Sequence, residues 1–190
     1  MISQAIILVG GKGERLSDGG RFTPVEETPK PLIEVGGKPF VTYLIRMLHG
    51  VGIQDVVLLV GYKKEDYAFL REQFGVRLCE TRSDVNEAVL AIPNLEEMFL
   101  LMNGDCLPIM DYEKLRMADH AFTTIKICGR DAGCAVVRKC DIGAGIVSVQ
   151  DIGAMGTVYS RLTILGGLHI GTYQGLERAR QFIDLVVYGQ

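Results

Sequence analysis

The sequence predicts an α/β fold: a Rossmann-like, doubly wound, mixed but mainly parallel sheet with a short β-rich C-terminal extension. Three observations carry this. Continuous apolar runs of strand length recur through the first two-thirds of the chain. They alternate with stretches whose apolar residues return every three or four positions, the period of a half-buried helix. From Phe122 onward that alternation gives way to β-rich segments joined by glycine-containing turns. Buried strands separated by helices imply right-handed βαβ units and a sheet covered on both faces. The 190 residues fit one domain. Within it the alternating α/β part is expected over about residues 1–120 and the β-rich part over about 121–190.

Ile2–Val9 opens the chain as a strand, followed by a long loop rich in glycine and proline. Phe40, Val41, Leu44, Met47 and Leu48 mark one face of a helix, and Val56–Val60 is the second strand. Tyr67, Leu70 and Phe74 mark another helix, Val76–Cys79 a short strand, and Val85, Ala88, Val89 and Ile92 a third helix ended by Pro93. Met98–Met102 is a strand of the fully buried type. The extension is expected to hold strands at Thr123–Ile127, Cys134–Val137, Ile146–Val149 and Val158–Leu165 with no helix between them. A last helix presents Leu176, Ala179, Phe182 and Ile183, and the apolar tail Leu185–Tyr188 is expected as an extra strand or a subunit contact.

Composition excludes several classes. Hydrophobic residues at 48% and charged residues at 23% place the chain among globular proteins rather than disordered or fibrous ones. A net charge of -3 gives no basic field for nucleic acid, so any phosphate site is local. No apolar run approaches the ~20 residues of a membrane span, and the N-terminus has no signal-peptide pattern. The expectation is a cytoplasmic protein. The five cysteines, Cys79, Cys106, Cys128, Cys134 and Cys140, are odd in number, widely spaced and without a C-x-x-C pair, which reads as reduced thiols.

The loop after the first strand carries the chemistry. Val9, Gly10, Gly11, Lys12 and Gly13 precede Glu14, Arg15 and Leu16. Glycines let backbone N–H groups approach phosphate oxygens, while Lys12 and Arg15 add positive charge. Such a loop suits a triphosphate, although it is equally a common structural turn. It lacks the third glycine of the dinucleotide fingerprint, and no G-x-x-x-x-G-K-[ST] loop occurs. Farther on, Thr28-Pro29-Lys30-Pro31-Leu32 sets a lysine between prolines, which is expected to project the ammonium from a stiff extended segment. Asn103, Gly104 and Asp105 follow the Met98–Met102 strand, placing a carboxylate at a strand's carboxyl end. An aspartate there is also ordinary turn chemistry.

Together, Gly10-Gly11-x-Gly13-x-Arg15-Leu16 and Pro29-Lys30-Pro31-Leu32 through Val35 to Lys38-Pro39 resemble the nucleotidylyltransferases that activate sugar 1-phosphates and related phosphomonoesters. Asn103-Gly104-Asp105 is similar to that family's metal-binding G-D element, and Gly167–Thr172 to its closing D-I-G-T element. The resemblance implies transfer of a nucleoside monophosphate from an NTP to a phosphomonoester. It assigns Arg15 and Lys30 to catalysis, and the residues from Val9 to Gly13 with Asn103 and Gly104 to the nucleotide. It further implies Mg²⁺ at Asp105, and a role in sugar-nucleotide biosynthesis.

Several departures from the family pattern are visible. Glu14 stands where a small hydroxyl residue is usual. Glu80 to Ala88 replaces the stretch that contacts base and ribose. Glu80 and Asn86 remain there as candidate nucleotide ligands, and the Asn-containing stretch resembles that of cytidylyltransferases acting on phosphocholine. No lysine occurs at Val149–Ile152, where the acceptor-binding one is expected, leaving Lys126 or Lys139 as substitutes. The segment between Asp151 and His169 is short, so the acceptor pocket is either open or completed by a second subunit, a homodimer. His169 takes the place of the second metal-binding aspartate. As a ligand it favours Mn²⁺ or Co²⁺ over Mg²⁺; otherwise it is a hydrogen-bonded imidazole. The departures leave two alternatives: a catalytically weakened nucleotide-binding regulatory homologue, or a cytidylyltransferase for a non-sugar phosphomonoester.

Overall fold

A computed structural model describes residues 1–12, 28–81, 84–117, 123–127, 130–143 and 164–188. Four strands form the parallel part of the main sheet: β1 (Gln4–Leu8), β4 (Asp55–Val60), β5 (Arg77–Glu80) and β6 (Met98–Asn103). A hairpin of β8 (Thr123–Ile127) and β9 (Arg130–Arg138) extends it antiparallel, giving the order β5-β4-β1-β6-β9-β8. From β1 the chain winds outward through β4 and β5, then crosses back to place β6 on the other side of β1. The winding direction therefore reverses between β1 and β6. In an open α/β sheet that is where the carboxyl ends of neighbouring strands leave a ligand crevice.

Strand alternation sorts the core onto two faces. Ala5, Ile7, Val56, Leu58, Leu100 and Met102 pack one way, and Ile6, Val57, Leu59, Phe99 and Leu101 the other. The first face is covered by α1 (Phe40–Gly50) through Phe40, Val41, Leu44, Ile45 and Leu48. It is also covered by α2 (Ala68–Phe74) through Leu70 and by α6 (Tyr173–Tyr188) through Leu176, Ala179 and Ile183. The second is covered by α3 (Val85–Leu90) and α5 (Lys139–Gly143), through Val89 and Ile142. Two of the helices show a local reason to begin or end. Asp84 caps α3, its side chain accepting from the N–H groups of Asn86 and Glu87. α2 stops at Gly75, which takes the left-handed conformation at φ 69° and donates its N–H to the Arg71 carbonyl.

The fold class is as the sequence predicts, with local corrections. Two small sheets escape the pattern: β2 (Glu34–Val35) with β3 (Lys38–Pro39), and β7 (Cys106–Met110) with β10 (Ile164–His169). Leu185–Tyr188 is no strand but the last turn of α6, where Leu185 is exposed. Phe182, expected to be inward, is exposed as well. Apolarity alone does not fix a face; the helix rotation that buries Leu176, Ala179 and Ile183 turns both outward. α5 interrupts the β-rich extension directly after β9. The strand expected at Ile146–Val149 and most of that at Val158–Leu165 lie outside the described residues. α4 (Tyr112–Arg116) completes the elements.

Candidate active site

Of the residues singled out from sequence, Val9 to Lys12, Lys30, Asn103 to Asp105 and His169 lie at or next to the β1/β6 reversal. Val9 continues β1 by donating its N–H to the Leu59 carbonyl, and its own carbonyl accepts from the buried Tyr67 hydroxyl at 3.0 Å. Gly10 accepts from the Tyr62 N–H and passes against Gly61 and Thr81, where a Cβ would stand 3.1 Å from Thr81 Cγ2 and 3.2 Å from Gly61 N. Beyond it, Gly11 and Lys12 are exposed, and a Cβ at Gly11 would have open space. The chain thus leaves the sheet pinned up to Gly10 and open after it. Gly13, Glu14 and Arg15 lie outside the described residues.

On the β6 side, Asn103 pairs with Leu8 in the parallel register, and Gly104 donates its N–H to the Leu8 carbonyl at 3.0 Å. Only glycine fits there: a Cβ at 104 would lie 2.7 Å from Val9 Cγ1 and 3.0 Å from the Leu8 oxygen. That close approach delivers Asp105 into the crevice.

Lys30 arrives from the other side, and not as an extended spike. Lys30–Leu32 is a turn of 3-10 helix behind Pro29, with the Leu32 N–H donated to the Pro29 carbonyl. Prolines are compatible with such a turn because its first residues need no intrahelical donor. Lys30 is buried, and its Nζ donates to Asp105 Oδ2 at 2.5 Å. His169 Nε2 lies 3.4 Å from the same oxygen, and Cys106 donates its thiol to Asp105 Oδ1 at 3.3 Å. The Lys30 and Asp105 side chains are 9% and 16% exposed, whereas that of His169 is 48% exposed. Burial alone pushes the Asp105 carboxyl upward, but its contact with His169 and the Lys30 charge outweigh it and hold the group well below the ordinary carboxylate range. Asp105 is an anion with a cation in contact. Burial, with Asp105 beside it, pushes the Cys106 thiol far up, so the free group keeps its proton.

His169 is placed by its strand. The register of β10 on β7 sets it opposite Cys106, and the Ile170 N–H is donated to the Asp105 carbonyl. Its ring lies against Gly171, where a Cβ would collide with the imidazole. The remaining candidates sit farther out. Glu80 ends β5 and pairs with Lys64 at 2.9 Å, and Asn86 lies in the first turn of α3. Of the two substitute lysines, Lys139 falls at the opposite edge of the sheet, because β9 runs antiparallel to β6 and its end meets Met98. Lys126 lies toward the crevice edge by register. Cys106, Thr81 and Gly61 were not singled out as site residues. Cys106 had a signal in standing directly after Asp105, but Gly61 had none without the fold.

The fold and these groups define a doubly wound α/β protein with a glycine-lined strand end, a buried lysine–aspartate pair and a cluster of three candidate metal ligands at the reversal of its sheet. The sequence matches the MobA-like NTP transferase domain over residues 5–122, and the chain belongs to that family. It is 44% identical over 75 residues to the choline-phosphate cytidylyltransferase of Streptococcus pneumoniae, covering 40% of this chain and 31% of that protein. Over 127 residues it is 32% identical to the D-glycero-alpha-D-manno-heptose 1-phosphate guanylyltransferase of Aneurinibacillus thermoaerophilus, 59% of this chain and 50% of that one. The chain spans half or less of the length of these curated relatives. In structure it resembles HddC from Yersinia pseudotuberculosis complexed with GMP-PN, with a TM-score of 0.71 at 17% identity, covering 96% of this chain and 100% of the other. That likeness is one of fold.

Proposed function

We propose that this protein is a nucleotidylyltransferase that moves a nucleoside monophosphate from an NTP to a sugar 1-phosphate or other phosphomonoester, releasing pyrophosphate. The observation that carries the reading is the buried Lys30–Asp105 pair at the β1/β6 reversal, beside the carboxyl end of β1 where the glycine loop begins. An acceptor phosphate is already a nucleophilic anion. Its oxygen attacks the α-phosphorus in line, the bond to the bridging oxygen breaks, and pyrophosphate leaves. No general base is needed, so the chain's task is positioning and charge neutralisation. Backbone N–H groups at half-buried Gly10 and exposed Gly11, with Lys12 and Arg15, would hold the β- and γ-phosphates. Lys30 would turn its ammonium from Asp105 to the α-phosphate, whose charge it offsets as the transition state forms.

Asp105, Cys106 and His169 offer three ligand atoms within 4.8 Å of one another, a donor set that fits a divalent cation. Bound there, the ion would neutralise phosphate charge. Asp105 would be its anionic ligand. Asn103 and Gly104 would shape the floor, Glu80 and Asn86 the base side, and residues from about 121 onward the acceptor side. Cytosine is the base this reading favours, and the choline-phosphate cytidylyltransferase relative supports a non-sugar acceptor as the second reading. Pyrophosphate release measured with each of the common NTPs over a panel of phosphomonoesters tests both. Release with one NTP–acceptor pair identifies the reaction, and no release with any pair would sink the enzyme reading.

A further inference from the structure

Asp105 has a second neighbour that a magnesium site has no use for. Cys106 and His169 are direct partners in the β7–β10 ladder, and directly opposed residues project to the same face of a sheet. Asp105 sits next to both, its Oδ1 3.3 Å from the Cys106 sulfur and its Oδ2 3.4 Å from His169 Nε2. A tetrahedral ion with ligand bonds of about 2.0–2.3 Å holds its donors roughly 3.5 Å apart. The carboxylate stands near that spacing from the thiol through one oxygen and from the imidazole through the other, and all three residues offer donor atoms within 4.8 Å of one another. Space for the sulfur depends on Gly133, which takes φ 69° and where a Cβ would lie 2.8 Å from Cys106 Sγ. The half-exposed imidazole leaves one side of the cluster open to solvent.

Mg²⁺ demands octahedral oxygen coordination and has little affinity for sulfur, whereas Zn²⁺ and Co²⁺ take thiolate, imidazole and carboxylate together. We propose that Cys106 is a metal ligand, and that Asp105, Cys106 and His169 form an open three-ligand site selective for Zn²⁺ or Co²⁺ over Mg²⁺. The inference rests on the reading above only in placing a cation at Asp105; it is independent of base and acceptor. Binding exchanges the thiol proton for the ion, so one H⁺ passes to the buffer for each ion bound, and nothing is oxidised or reduced. The fourth position stays free for water or a phosphate oxygen, as in open zinc sites.

The test uses the full chain carrying Cys128→Ser and Cys140→Ser, so that the exposed Cys140 thiol and that of Cys128, outside the described residues, do not contribute. Titration with Co²⁺ alone, followed by absorption, is expected to give a thiolate-to-cobalt charge-transfer band saturating at one equivalent and bleached by Zn²⁺ but not by Mg²⁺. Calorimetry in buffers of different ionisation enthalpy should show about one proton released per Zn²⁺. Cys106→Ser should abolish the band and weaken Zn²⁺ binding by ~10²-fold or more, a loss at least as large as that for removing an outer-shell partner. Should Cys106→Ser not fold, the band in the parent protein decides alone. Cobalt binding that requires Asp105 and His169 yet gives no charge-transfer band would overturn the thiolate ligand and leave the reaction untouched. Cobalt binding indifferent to Asp105→Asn would overturn this site and the cation placement under it alike.

Discussion

Two carboxylates meet cations at opposite ends of the parallel strands, and they do so in different ways. At the amino ends, Asp55 accepts from both sides of the Arg77 fork, Nε to Oδ1 and NH2 to Oδ2 at 2.8 Å each, while the third guanidinium nitrogen donates to the Pro93 carbonyl. Gln4, buried at the start of β1, donates to Asp55 Oδ2 and the Asn94 carbonyl and accepts from the Glu96 N–H. Those bonds tie β1, β4, β5 and the approach to β6 together. At the carboxyl ends, Asp105 faces an ammonium, an imidazole and a thiol, none of which locks it by a planar fork. A planar fork fixes register; a point charge on a flexible stem can be handed to another anion. Under the proposed function, the first pair stays made and the second is exchanged for substrate and metal.

The largest expected effect is at the exchangeable end. Lys30→Ala should lower kcat by ~10²-fold or more, the scale for removing one charge-stabilising group from a polar transition state, and Arg15→Ala should do likewise. Lys30→Ala should in addition cost about 1–3 kcal/mol of stability, since Asp105 then keeps a largely buried charge with one fewer partner. Initial rates on protein whose circular dichroism matches the parent check this. Near-normal turnover in both variants would end the comparison.

Next in size is Gly104→Ala, which tests whether the delivery of Asp105 depends on backbone contact across the reversal. The added methyl meets Val9 and the Leu8 oxygen, neither of which can swing aside. Overpacking of this kind typically costs about 1–3 kcal/mol, and displacement of Asp105 should lower activity by roughly tenfold or more. Denaturant melts and rates measured on the same preparation separate the two effects. A variant as stable and as active as the parent would mean that the strand ends are looser than the contacts imply.

Both ends were unequally legible in the sequence. The alternation of strands and helices and the glycine loop are local signals, and they placed the crevice. Lys30 and Asp105 are 75 positions apart, and their mutual contact follows only once β1 and β6 are neighbours. The lysine's 3-10 turn was hidden because flanking prolines suit an extended segment and a short turn equally. The pairing of β7 with β10 was invisible because a Cys-Leu-Pro-Ile run separated by more than fifty residues from its partner carries no pairing signal. Gln4 and Asp55 open their strands as ordinary polar residues, and nothing in their spacing announces a network. Long-range polar pairs are products of topology, and a one-dimensional period does not encode them.

A smaller effect is expected at the locked end. Arg77→Ala removes three hydrogen bonds, but the pair is about one-third exposed, with side chains at 33% and 37%. Solvent screening limits its contribution to ~1 kcal/mol or less. The expected outcome is therefore a slightly lowered denaturation midpoint with kcat unchanged, the reverse of Lys30→Ala. Loss of activity at full stability would show that the amino-end network reaches the crevice after all.

The smallest expected effect is in pH dependence, and it divides the two carboxylates directly. Burial pushes Asp55 upward, but its hydrogen bonds from Arg77 and Gln4 and the Arg77 charge hold it below its ordinary 3.8, as contacts with His169 and Lys30 do more strongly for Asp105. A carboxyl whose folded value is depressed stabilises the protein above its unfolded value, and that contribution is lost as pH falls toward the folded one. Both groups therefore weaken the fold as pH falls below about 4. Because Asp55 is the more exposed and the less shifted, Asp55→Asn should flatten the stability slope between about pH 5 and 3 only slightly, by a few tenths of a kcal/mol. Most of the slope should survive, carried by Asp105 in chelator-treated protein. Urea midpoints taken across that range for the parent and Asp55→Asn measure the division. If Asp55→Asn removed most of the slope, the strongly held anion would lie at the amino ends, and the contrast between a locked and an exchangeable pair would be the wrong way round.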